Sequence, residues 1–264
     1  MRLDGRRVLI TGASRGIGEA IAERAAAAGA TVALVARSGD AIAALADRLG
    51  GTAHPADLTD RATVADLVAR VEREAGPVDV LVNNAGVDLA GDALAADHDD
   101  MAAMYQLNLL TPVRLCRDVL PRMVERGGGH VVNVSSMASV VTLPGLVDYA
   151  TTKAGLSRFT AGLELELRGL PVGLTAVELG PVPTEMLDHV TGHPPTGRSF
   201  RRFGRLQLLT DVDRHDVADA VVDAVERDRR RVRLPRRAAP FAVLAETPQR
   251  VANVLLRGIA PRSR

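Results

Sequence analysis

Short apolar runs alternate with longer helical patterns along this chain, and that alternation restricts its folds more than any other feature. "RVLITG" (7–12) reads as a strand closed by glycine, and "GIGEAIAERAAAAGA" (16–30) as the helix after it. A second strand (31–37) and helix (40–50) follow, then a short third strand within 51–57 and a helix over 61–76. The pattern continues with a strand over 78–86, a helix from about 97 to 126 broken near Pro112, a strand over 129–136 and a long helix over 149–169. A strand over 172–180, a helix over 216–226 and a strand over 230–235 complete it. Strands that are apolar throughout, separated by helices, predict a parallel sheet covered on both faces. The expected class is α/β: a doubly wound sheet of about seven strands with helices on both faces.

"TGASRGIG" (11–18) fills the first strand-to-helix junction. Gly12, Gly16 and Gly18 let the backbone turn sharply and approach a pyrophosphate, while the helix start offers free N–H groups. Glycines also serve ordinary turns, so the position after the first strand carries the reading. An NAD-binding fold usually ends its second strand with an acid for the ribose 2′-hydroxyl. Here that strand ends in Arg37 and Ser38, and Arg15 lies in the glycine loop. Two guanidinium groups suit a 2′-phosphate, which favours NADP(H), with NAD(H) as second choice. The alternative is two surface arginines in an arginine-rich chain.

Lys153 is the only lysine among 33 basic residues, and Tyr149, four positions earlier, is one of 2 tyrosines. Residues four apart share a helix face, so the pair would stand side by side. Heavy arginine use looks like coding bias, under which a lysine persists by chance or where a wide planar fork will not serve.

Together with these, "NNAG" (83–86), "NVSS" (133–136), "YATTK" (149–153) and "GPVPT" (180–184) occur in order at strand ends. Over roughly 6–235 the chain resembles the short-chain dehydrogenase/reductase family, with Leu179 where the family commonly has proline. The resemblance implies a Rossmann-like fold, an oxidoreductase acting on a carbonyl or secondary alcohol, and a catalytic set of Ser136, Tyr149, Lys153 and Asn108, the last holding a relay water. The implied cofactor-binding set is Gly12, Ser14, Arg15, Gly16, Ile17, Gly18, Arg37, Ser38, Asp57, Leu58, Asn84, Ala85, Gly86, Tyr149, Lys153, Gly180, Val182 and Thr184. Within it Asp57 lies on the adenine side and Thr184 holds the carboxamide. A homodimer or homotetramer is expected.

Reducing a ketone needs hydride at carbon and a proton at oxygen. Free tyrosine is a poor base at neutral pH, and a nearby ammonium should lower its pKa. Ser136 would donate a hydrogen bond to the substrate oxygen. His54, His98 and His189 carry no pairing signal and read as surface or loop residues.

The net charge of +1 argues against a nucleic-acid partner, yet from Arg227 onward eleven arginines face two acids. Cys116, the single cysteine, has no metal-ligand spacing around it and reads as a buried apolar thiol. With no signal-like segment or membrane-length apolar run, the expected location is cytoplasmic. Residues 1–237 read as one catalytic domain. Helix and strand signals fail between Pro181 and Asp213, so a lid loop is expected at about 182–212. Its Phe200 and Phe203 suggest apolar contacts, and its arginines either an anionic substrate or a solvated basic loop. Residues 238–264 read as a helical extension packed on the domain or a partner subunit, with an anionic membrane surface as the second reading. Competing functions are a nucleotide-binding regulator without turnover and a membrane-associated scaffold or reductase.

Overall fold

The computed structural model describes residues 1–206 and 210–236. The expected helical extension lies outside them. In chain order the elements begin with β1 (Arg7–Thr11), α1 (Gly16–Ala27), β2 (Thr31–Ala36), α2 (Gly39–Leu49) and β3 (Thr52–Pro55). Next come α3 (Arg61–Ala65), α4 (Leu67–Ala75), β4 (Val80–Asn83), α5 (His98–Tyr105), α6 (Thr111–Glu125) and β5 (Gly129–Ser136). Then follow α7 (Val147–Glu166), β6 (Val172–Leu179), α8 (Glu185–Gly192), α9 (Pro194–Arg205), α10 (Arg214–Glu226) and β7 (Arg231–Leu234).

The seven strands form one sheet in the order β3-β2-β1-β4-β5-β6-β7, and every pairing is parallel. Successive strand residues face opposite sides, which explains why the strands are apolar throughout. Ile10 and Leu34 pack with Ile21 of α1, Ile42 of α2 and Val221 of α10. Leu9 and Leu81 pack on the other side with Leu67 of α4 and Leu115 and Met123 of α6. Each such side chain contributes about 1.5–3 kcal/mol when fully buried.

Three local features depart from the sequence pattern. The helix expected over 61–76 is divided at Asp66, whose φ of −110° leaves the helical region. Short Asp side chains compete with helical hydrogen bonding, and this one instead pairs with Arg73 at 2.8 Å. The break expected near Pro112 falls earlier, in a π-helical turn at Gln106–Leu110, while Pro112 occupies the first turn of α6. Pro112 lacks the amide that would bond back into the preceding turn, and the helix widens there into the π-turn rather than ending.

The expected lid loop is largely helical, built from α8 and α9. Pro194 and Pro195 sit in the first turn of α9, so "HPPTG" is a helix start rather than a loop marker.

The sheet runs outward in opposite directions from the β1/β4 boundary. That boundary is where a doubly wound sheet opens a crevice beyond its carboxyl ends. The ends of β1, β4, β5 and β6 bring Thr11, Asn83, Ser136 and Leu179 to one rim.

Candidate active site

The glycine loop lies at that crevice. A Cβ on Gly18 would stand 2.1 Å from the Gly12 carbonyl oxygen, and one on Gly12 2.8 Å from the Ala85 Cα. Gly12 and Gly16 also have φ of +68° and +64°, so side chains are excluded by space and by conformation. The N-terminus of α1 has no side-chain cap, which leaves its first N–H groups for an anion. These features fit a dinucleotide pyrophosphate.

Asn84 locks the loop in place. Its Nδ2 donates to the carbonyls of Thr11 (3.0 Å) and Gly12 (3.2 Å). The Thr11 hydroxyl accepts from the Asn84 and Ala85 amides and donates to the Val82 carbonyl. Thr11 was not a sequence-derived candidate, although it opens the glycine motif.

Arg15 and Arg37 are both exposed near this loop and the end of β2. Arg15 forms an ion pair with Glu185, the first residue of α8. Asp57 accepts from the Thr59 amide and hydroxyl, which hold its carboxyl below the ordinary value, with Arg37 adding to the effect. Leu58 is buried, and its carbonyl accepts from Thr111 at 2.7 Å. Ser38 caps α2 positionally without a side-chain bond. Thr184 places its methyl 3.6 Å from where a Gly16 Cβ would lie, linking the lid root to the loop.

Ser136, Tyr149 and Lys153 converge on one cavity of about 420 Å³, with Ile17, Asn84, Gly86, Gly180, Val182 and Thr184 also on its wall. Ser136 accepts from the Ala138 amide and donates to the Leu179 carbonyl. Lys153 is buried, its Nζ donating to the Val134 carbonyl at 3.2 Å and lying 5.8 Å from the Tyr149 ring centroid. The Ser135 hydroxyl donates to the Lys153 carbonyl at 3.0 Å, tying α7 to β5.

The electrostatics run opposite to the expected lowering of the phenol. Burial pushes Tyr149 up to about 12, the Ser136 hydroxyl pulls it down and the Asp88 carboxylate pushes it up. Burial also brings Lys153 down to about 8. Desolvation penalises the charged form of each group, and it is the largest cause of both shifts.

Asn108 is fully buried in the π-helical turn. Its Oδ1 accepts from the Val87 amide (2.9 Å), and its Nδ2 donates to the Val87 carbonyl (2.8 Å) and the Thr152 hydroxyl (3.2 Å). π-turns inside helices often occur at functional sites. This one widens the helix where Asn108 must reach the loop after β4. A Cβ on Gly86 would lie 3.2 Å from the Asn108 oxygen and 3.3 Å from Lys153 Nζ, so Gly86 is bordered by both.

The structure corrects one histidine and gives a partner to another. His54 is buried, bonded to Thr52 at 2.9 Å and Glu74 at 3.0 Å. His189 of α8 is exposed but meets Asp88 at 2.6 Å. The Asp88 side chain is only 8% exposed. It had no motif to mark it, because its role depends on a helix 101 residues away in sequence. Cys116 is buried as expected, beside Asn83 and Asn133, and burial pushes its thiol up to about 12. Among the described residues no cluster of three or more potential metal ligands occurs, and no helix is long and apolar enough to cross a membrane.

The fold and this rim of side chains define a doubly wound α/β protein with a dinucleotide-shaped crevice. The family model for short chain dehydrogenases matches residues 6–194. A short chain dehydrogenase of Pseudocercospora fijiensis is 37% identical over 70% of this chain and 62% of its own length. A short-chain dehydrogenase of Sphingobium yanoikuyae, solved in complex with NADPH, superposes with a TM-score of 0.80 at 28% identity, covering 98% of each chain. A family protein of Burkholderia phymatum, solved with NAD, gives 0.78 at 25% identity over 100% of this chain and 99% of that one. The chain belongs to the short-chain dehydrogenase/reductase family. It spans less than two thirds of the length of the first curated relatives it matches.

Proposed function

We propose that this chain transfers hydride between NADP(H) and a carbonyl compound or secondary alcohol, with Tyr149 as the acid–base group. The observation that carries the reading is the convergence of Ser136, Tyr149 and Lys153 on one cavity beside the glycine crevice. When bound, a nicotinamide supplies the hydride or accepts it. The chain's own groups handle the oxygen. Ser136 donates a hydrogen bond to the reacting oxygen, and Tyr149 exchanges its proton with that oxygen. Lys153 stabilises the phenolate through its charge and holds the ribose hydroxyls. Asn108 holds the loop after β4 and α7 at fixed separation and lies on the proton's path to solvent.

Arg15 and Arg37 support NADP(H) over NAD(H), because neither position offers the acid a ribose hydroxyl would want. The family members solved with NADPH and with NAD are consistent with both binding modes on this fold. The experiment is to follow NADPH consumption over a panel of ketones, and NADP⁺ reduction over the matching alcohols. Turnover in the parent and loss in Tyr149→Phe, with nucleotide binding kept, are expected. Near-parent turnover in Tyr149→Phe would refute the assignment.

A further inference from the structure

Resting on the reading that Tyr149 marks the reacting oxygen, we propose that the substrate is uncharged and bulky, with an apolar body seated against Met186, Val190, Phe200 and Phe203 of the lid. One end of the cavity, at Ser136, Tyr149 and Lys153, offers groups for a polar reacting centre, and the polar Asn84 and Thr184 lie toward the glycine loop. Away from it the wall is apolar, and Phe200 and Phe203 pack with Leu143, Leu146 and Val190 into a cluster that includes Tyr149.

The lid's charges point elsewhere. Phe200 and Phe203, three apart, share one face of α9 and are half-buried. Arg198, Arg201, Arg202 and Arg205 are all exposed. Among the described residues lining the cavity, the only charged side chain is Lys153. A substrate carboxylate or phosphate seated against the lid would therefore have no partner there, at the cost of burying an unpaired charge. The four arginines thus solubilise the lid's outer face and do not recognise substrate.

Three polar contacts tie the lid to the rest of the domain with the apolar wall in this position. Glu185 pairs with Arg15, His189 with Asp88, and the buried Thr196 donates to the Pro144 carbonyl at 2.7 Å.

The test compares methyl ketones of increasing chain length with keto acids of the same lengths. Both kcat/KM with NADPH and calorimetric binding to the NADPH-loaded protein are measured. We expect about a fourfold gain per added methylene until the cavity is filled, and at least tenfold weaker use of each keto acid. Phe203→Asp should flatten the chain-length dependence, and Arg201→Ala should leave both series unchanged. A flat series in the parent, preference for the acids, or loss of acid binding in Arg201→Ala would overturn the proposal. If nothing is turned over, the hydride-transfer reading fails separately. Calorimetry on the parent then still decides: length-dependent ketone binding supports the apolar chamber, and flat binding refutes it.

Discussion

Lys153 Nζ is anchored to the Val134 carbonyl at 3.2 Å and stands 5.8 Å from the Tyr149 ring centroid. The ammonium is therefore held by β5 beside the phenol ring. A flat guanidinium would need a wider berth than the space bordered by Gly86 and Asn108. Lys153→Arg should lower turnover at least about a hundredfold, within the range of lost acid–base catalysis. Lys153→Ala should weaken nucleotide binding as well. Steady-state kinetics and fluorescence titration check both, and near-parent activity in Lys153→Arg would make the lone lysine an accident of composition.

The phenol itself can be titrated. Burial pushes Tyr149 up to about 12, so with no nucleotide added it should give no tyrosinate absorption at pH about 10, where free tyrosine is half ionised. Difference spectra between the parent and Tyr149→Phe isolate it from Tyr105. Added NADP⁺, carrying positive charge on its ring, should bring the ionisation to lower pH. Half-ionisation of Tyr149 near pH 10 in the free protein would contradict the dominance of burial.

The proposed preference for NADP(H) assigns the 2′-phosphate to Arg37 and Arg15. NADPH should bind more tightly than NADH, and Arg37→Asp should narrow or reverse the gap. Arg15 is engaged by Glu185, an exposed pair that contributes at most about 1 kcal/mol. Glu185→Gln should therefore tighten NADPH binding up to about fivefold and leave NADH unchanged. Equal parent affinities for the two nucleotides would refute a 2′-phosphate role for both arginines.

The lid is seated on Gly145, whose φ is +84° and whose Cβ would lie 2.3 Å from the Thr196 hydroxyl. Gly145→Ala should destabilise the protein by roughly 1–2 kcal/mol, since a non-glycine residue is strained there. It should also raise KM for a long ketone while NADPH affinity stays constant, because the glycine loop is untouched. Thermal unfolding and nucleotide titration separate the two effects, and an unchanged KM would detach the lid from substrate binding.

His130 sets an acid limit on stability. It is buried, with its ring bonded to Thr175 at 2.8 Å, and burial brings its pKa from 6.5 to about 4. Between those values the unfolded chain binds a proton that the folded one refuses, so stability falls as pH falls through that window and levels off below it. The loss from pH about 6.5 to about 5 should be roughly 1.5–2 kcal/mol. Urea midpoints across that range should show a shallower slope for His130→Gln, and parallel slopes would exclude His130 as the cause.

How far the sequence reaches can be judged from particular residues. The alternation of apolar runs and helices determined the parallel sheet, because strands buried on both faces leave no polar register. The glycine loop, Ser136, Tyr149 and Lys153 were legible because each sits at a strand end or one helical turn from its partner. In a parallel sheet, strand ends meet at one rim whatever the loops between them do.

Other features were decided only by the tertiary structure. Asn108 could have been an exposed helical residue; it is buried because a π-turn aims it at Val87. Asp88 acquired a role only when α8 brought His189 to it. The lid's arginines and phenylalanines were sorted onto opposite faces only once α9 formed against Leu143 and Leu146. The direction of the Tyr149 shift followed the same rule: spacing along α7 predicts the lysine's help, whereas burial, the largest cause of the shift, depends on what packs round the phenol in the folded chain. A local pattern can specify which groups are neighbours on one element. Burial and field at a point are sums over every element around it, and those exist only after folding.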